Sequence, residues 1–169
     1  MQQPLANEYP TFYGKYVALV PQHDGIIALR ESGRTIKNYL ATISPAKATY
    51  RYAADKWSVN EVIQHIIDCE IIFLYRALRI ARNDTTPLPG FEQDDYVPAA
   101  LSDYQGTASL TDLFMKTREL SIALFASLPP HTQTNIGVAN GNDISVRALC
   151  YIISGHALHH LHILKTRYQ

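Results

Sequence analysis

Ser58-Val59-Asn60-Glu61-Val62-Ile63-Gln64-His65-Ile66-Ile67 carries its own helix-start signal and then a helical apolar pattern. Ser58 followed three residues later by Glu61 is a capping box: each side chain satisfies a backbone N–H that the first turn leaves unpaired. Beyond it, Val62, Ile63, Ile66, Ile67, Ile71, Ile72, Leu74 and Leu78 recur at spacings of three and four. That is the stripe of a helix with one buried face. The pattern fades at Asn83-Asp84, which makes the helix roughly 38 Å long at ~1.5 Å per residue.

The same period appears on both sides of this stretch. Upstream, Ile26, Ile27, Leu29, Ile36, Tyr39, Leu40 and Ile43 mark a helix over His23–Ser44, which Pro45 ends. Gly33 inside it costs up to ~1 kcal/mol relative to Ala. Residues 1–22, with Pro4, Pro10 and Pro21, read as an irregular leader lying on the surface of the 23–168 domain, with at most a short helical turn. Downstream, Asp84–Thr107 holds Pro87, Pro89, Gly90, Pro98 and Gly106 and has no clear period. A connection of this length lets the helices it joins run parallel. A third helix spans Ser109–Leu128, with Asp112 three residues after Ser109 as a near capping box, and Pro129-Pro130 stops it. Asn140-Gly141, between Val138 and Ile144, is a turn signal compatible with a minimal hairpin. A fourth helix runs from about Ser145 to Arg167. The expectation is an all-α four-helix bundle with a long crossover between helices two and three.

Composition narrows the functional classes. The chain has 169 residues, enough for one domain with a sizeable core. Its 15 Lys and Arg balance 15 Asp and Glu, so there is no electrostatic footprint for nucleic acid or an anionic membrane. Two cysteines without a disulfide pattern, and no signal peptide or membrane-length apolar run, lead us to expect a cytoplasmic protein.

Four of the seven histidines fall in Gly155-His156-Ala157-Leu158-His159-His160-Leu161-His162. At about 100° per residue, His160 lies ~40° from His156, His159 ~60° away on the other side, and His162 at roughly 240°. Leu149, Ile152 and Ile163 share the His156 face, so His156 and His160 project toward the interior. Imidazoles at i and i+4 stand one above the other and suit two ligands on one ion. No Glu follows His156, which excludes the zinc-protease motif. A catalytic site needs a third protein ligand. His65 is the candidate, flanked by Val62, Ile66, Ile67 and Ile72 on the core face. The alternative for each is a core imidazole with one satisfied hydrogen bond. His159 and His162 are expected beside the site or in solvent, and His23 and His131 on the surface.

These segments resemble the DinB-like (DinB/YfiT) superfamily of metal-dependent hydrolases. The matching blocks are Lys56-Trp57-Ser58 through His65, Tyr75-Arg76 through Arg82, Pro87-Leu88-Pro89-Gly90-Phe91, and Ser154-Gly155-His156 through His160-Leu161. The resemblance spans roughly residues 25–168. It implies a four-helix bundle holding one divalent metal ion, nickel or zinc most often and otherwise manganese, through His65, His156 and His160. It implies no single reaction, since relatives include thiol-dependent S-transferases and a thiol-dependent isomerase.

A three-histidine site with an open position suits hydrolysis or S-transfer from a low-molecular-weight thiol, on a small-molecule substrate. Arg76, eleven residues after His65 on the same face, could bind a substrate carboxylate or form a structural ion pair. Cys69, at i+4 from His65, reads as a small buried hydrophobe rather than a ligand. Asp68 and Glu70 fall off that face, and Glu61 is spent on capping. Trp57 reads as a hydrophobic staple. Glu92-Gln93-Asp94-Asp95-Tyr96 reads as a solvated segment, or as a lid or source of a base. Arg167 shares the His156 face and could pair with an acid at the bundle end. Against the enzyme stand two alternatives: a non-catalytic metal-binding or homodimeric interaction module, and a structural bundle without metal.

Overall fold

The computed structural model describes residues 1–169. Three of its four long helices begin at a side-chain cap. Asp24 Oδ1 accepts from the N–H of Ile26 and Ile27 and starts α2 (Gly25–Leu40), after a one-turn α1 (Gly14–Val17) in the leader. Ser58 and Glu61 make both bonds of the capping box and start α4 (Val59–Ala81). Ser145 Oγ accepts from Ala148 N and starts α7 (Val146–Arg167). The fourth, α6 (Thr107–Ser127), follows Gly106 without a side-chain cap.

The structure departs from the sequence reading in four places. The first helix stops at Leu40, because Ser44 caps a separate turn, α3 (Pro45–Ala48), with Pro45 at its favoured first position. The third helix starts at Thr107, so the Ser109/Asp112 pair lies inside it and caps nothing. The 84–107 connection is not featureless: it holds α5 (Gln93–Ala100). Pro98 inside α5, and Val97 as its one buried residue, leave no period to detect. The leader does not merely rest on the surface. Val17 and Val20 are buried in the core, and buried Glu8 pairs with Arg147 and accepts from Ser145 Oγ.

The anticipated hairpin is present as β1 (Ile136–Ala139) and β2 (Asn142–Ser145), antiparallel. Asn140 and Gly141 both have positive φ, 50° and 72°, as a two-residue hairpin turn requires. Leu88 bridges to this hairpin through Leu88 N to Val138 O and Asn140 N to Leu88 O, which anchors the crossover.

Around the bundle, α2 and α4 are each packed between α6 and α7. Helices α4 and α6 run parallel. Thr107 Oγ1 donates to Asn60 Oδ1 at their starts, and further along Arg118 meets Glu70. The crossover is long because parallel neighbours cannot be joined by a tight turn. The apolar core is split in two. One part gathers the first half of α7 with the second half of α4; the other gathers their opposite halves. On α4 the division falls between Ile67 and Cys69, and on α7 between Ile153 and Ala157. Buried His65, Glu70 and His156 lie near this level.

Candidate metal centre

Helix α4 brings His65 and Cys69 to one face a turn apart, and α7 brings His156 and His160 opposite them. The Nε2 atoms of His65 and His156 are 3.1 Å apart. Cys69 Sγ lies 3.7 Å from both ring nitrogens of His65. One ligand atom each from His65, Cys69 and His156 falls within 4.8 Å of the others. The His160 ring packs on both imidazoles, with centroids 4.7 Å from His65 and 4.6 Å from His156.

The close approach of α1 to α7 completes the enclosure. A Cβ at position 155 would overlap the carbonyl oxygen of Tyr16, so only Gly155 lets the α1 backbone pass here. The Tyr16 ring then lies edge-on to His156, at 5.4 Å, and close to His159, at 5.2 Å. Phe73 stands edge-on to His156 at 6.0 Å. Trp57, read from sequence as a staple, lies 4.8 Å from the His65 ring, and its carbonyl accepts from Tyr168 Oη at 2.7 Å.

Burial sets the protonation. It pushes His65 down to about 4, against a weak opposing pull from Asp94. It pushes His160 down to about 3 and His156 well below the usual imidazole value, both aided by repulsion from neighbouring histidines. All three imidazoles are therefore neutral at pH 7 with lone pairs available. Burial also pushes the Cys69 thiol up to about 12, so it keeps its proton unless a cation displaces it.

This arrangement fits a divalent ion. Metal–imidazole bonds of roughly 2.0–2.1 Å put two ligating nitrogens about 3 Å apart, which is the His65–His156 separation. Neither ring is hydrogen-bonded to a carboxylate or carbonyl that would explain its burial otherwise. Cys69 is the residue whose placement the sequence underweighted. Its i+4 spacing from His65 was the available signal.

Two cavities flank the cluster. One, of about 380 Å³, is lined by His156, Cys69, Phe73, Arg76 and leader aromatics. The other, of about 460 Å³, is lined by His160, Trp57, Val62 and Tyr168. Asp94, on α5, borders both, Glu92 and Gln93 border the first, and the side chains of Glu92–Tyr96 are exposed. Arg76 is buried in the first cavity. His159 is half-buried, while His162, His23, His131 and Arg167 are exposed. Glu70 turns away from the cluster to pair with Arg118, and Glu61 is held by Ser58 and Arg51.

Three comparisons with known proteins bear on this architecture. No curated protein matches the chain significantly. Among solved structures, the chain is similar to YfiT from Bacillus subtilis, described as a probable metal-dependent hydrolase with an unusual four-helix bundle topology. Identity is 14%, the match covers 94% of this chain and 86% of that one, and the TM-score is 0.70, so the likeness establishes the fold. The family model of the DinB superfamily matches residues 28–164, which takes in all four long helices and every histidine of the cluster: the chain belongs to the DinB superfamily.

Proposed function

We propose that this chain is a metal-dependent enzyme that acts on a small molecule, with one divalent ion held by His65, His156 and His160. The observation that carries the reading is the convergence of His65 and His156, Nε2 to Nε2 at 3.1 Å, in a buried site that keeps the rings neutral. Nickel or zinc suits a set of neutral imidazoles, and manganese is the third choice. A bound ion there supplies a Lewis acid and lowers the pKa of a coordinated water or thiol. The protein's own part is positional. The Gly155–Tyr16 contact and Phe73 hold His156 in orientation, Trp57 backs His65, and the apolar halves of the core exclude bulk water.

Between the two chemistries, the pair of cavities favours transfer. His156 faces one and His160 the other, which suits a thiol donor and an electrophile approaching from opposite sides. Simple hydrolysis needs room for one substrate and water. Cys69 favours a second reading. Three imidazoles and a thiolate would close a four-coordinate set, as in structural zinc sites, and leave a binding module without chemistry.

Elemental analysis of the purified protein, and of protein reconstituted with Ni²⁺, Zn²⁺ or Mn²⁺, tests the metal. About one ion per chain in wild type and none in His65→Ala is expected; no ion in reconstituted wild type would overturn the proposal. The loaded protein is then offered glutathione, bacillithiol, mycothiol or coenzyme A with a chloro-aromatic electrophile, and separately esters and amides without thiol. Thiol conjugate identifies a transferase and thiol-free turnover a hydrolase. Metal without either activity, with affinity lost in Cys69→Ala, selects the closed module.

A further inference from the structure

The chain buries arginine beside a carboxylate at Arg118, which pairs with Glu70, and half-buried Arg147 pairs with Glu8. Arg76 is the exception. It is 4% exposed and makes no ion pair; its Nη2 donates to the Pro89 carbonyl at 2.8 Å, and its other polar neighbour is the neutral Tyr13 hydroxyl. A guanidinium has five N–H donors, and burying its charge without a counter-charge is costly. This one borders the 380 Å³ cavity that also reaches His156 and Cys69. The wall between them is Phe73, whose ring centre lies 5.9 Å from the Arg76 Cζ and 6.0 Å from the His156 ring. Tyr13, Tyr16 and Phe91 add aromatic surface to the same cavity. The acidic residues that border it, Glu92 and Asp94, are exposed, and neither is within ion-pair distance of Arg76.

We propose that Arg76 is the carboxylate-binding residue of a substrate pocket, and that the ligand is a small carboxylic acid whose apolar or aromatic body lies along Phe73 with its far end toward His156. The planar fork of Arg76 supplies paired donors to the two carboxylate oxygens. The cavity volume falls within the range of small-molecule sites. Reaction at the end toward His156 rests on the metal-dependent reading above; the carboxylate contact does not require metal.

The test uses the full-length chain stripped of metal with chelator, titrated by calorimetry with 3-phenylpropanoate and with its neutral analogue 3-phenylpropanamide. Wild type is expected to bind the acid at least roughly tenfold more tightly than the amide, the size of one charge-assisted hydrogen bond. Arg76→Gln is expected to remove that preference, and Arg76→Lys to keep part of it. The wild-type acid-to-amide ratio stands even if a variant misfolds. Equal binding of acid and amide, binding of neither, or an undiminished preference in folded Arg76→Gln each overturns the proposal. Metal content of the same preparation before stripping is measured in parallel. Metal without acid preference removes this inference alone, and acid preference without metal removes the metal reading alone.

Discussion

Helix α4 carries two buried polar clusters at the level where the apolar core divides, and they are built on opposite terms. On one side Glu70 accepts from Arg118 Nε and Nη2 and from Ser121 Oγ, each at 2.8 Å, and Arg118 Nη1 donates to Ser32 Oγ and the Leu29 carbonyl. Gly33 is part of this design, because a Cβ there would stand 3.0 Å from Arg118 Cγ. On the other side the polar contacts of His65 and His156 are with each other and, for His65, with Cys69, and the remaining contacts are with aromatic rings. The first cluster is satisfied within the protein and ties α2, α4 and α6 together. The second brings imidazoles and a thiol together, and its closest polar contact is His65 Nε2 to His156 Nε2 at 3.1 Å. The closed network holds helices together, whereas the second cluster groups side chains that could ligate a metal ion.

The sharpest way to break the comparison is to remove one member of the closed network. Arg118→Met leaves the Glu70 carboxylate buried and unpaired, and urea denaturation is expected to show a loss of about 3–5 kcal/mol. The double variant Arg118→Met/Glu70→Leu should recover much of it, since two apolar groups leave no stranded charge. If the single variant is as stable as wild type, the network is not what holds these helices.

The open cluster should respond to a ligand instead. Zn²⁺ or Ni²⁺ at about 100 times its dissociation constant is expected to stabilise wild type by about 2.7 kcal/mol in a thermal melt. His65→Ala and His156→Ala should erase that gain, while Cys69→Ser reports whether the thiol contributes to it. A metal-induced shift that survives both histidine variants would place the ion elsewhere.

Gly155→Ala is expected to cost about 1–3 kcal/mol by overpacking α7 against α1. It should also weaken metal binding, because Tyr16 is displaced from His156. Isothermal titration with Zn²⁺ checks the second effect, and unchanged affinity would show that α1 does not position the site.

For a single imidazole, the effect of pH is read from a slope. In metal-free protein the folded imidazoles stay neutral down to about 4 at His65 and about 3 at His160. In the unfolded chain they protonate near the ordinary histidine value. From about pH 6.5 down to the folded values of about 4 and 3 the unfolded state therefore binds more protons, and stability falls as pH falls, by up to roughly 1.4 kcal/mol per pH unit for each imidazole. His156→Leu should make the slope shallower. A flat stability profile across that window in chelator would contradict buried neutral histidines.

Local signals were legible wherever the chemistry is local. The Ser58/Glu61 capping box, the Ser145 start and the Asn140-Gly141 turn are each written within a few residues, and each stands as read. The parallel run of α4 and α6 followed from the length of the crossover. Signals failed where several weak preferences compete. Ser44-Pro45 starts its own turn rather than trailing the first helix, and Pro98 masks α5. Arg118 carries no local signal, because its partner is 48 residues away and an arginine within a helix normally reads as solvated.

For the histidines the division is the same. Spacing on one helix singles out His156 and His160 over His159 and His162 as an expectation, because helical angles follow from residue number alone; the ligand atoms the structure gathers are those of His156 with His65 and Cys69. His65 could be placed on a core face but not at 3.1 Å from His156, since that distance depends on how α4 and α7 pack. Tertiary structure alone decided that Cys69 joins the cluster, that Tyr16 reaches it across Gly155, and that Arg76 is buried without a counter-charge while Glu70 pairs with Arg118. Periodicity records which face a residue takes on its own helix; which residue of another helix meets it is set by packing of the whole bundle.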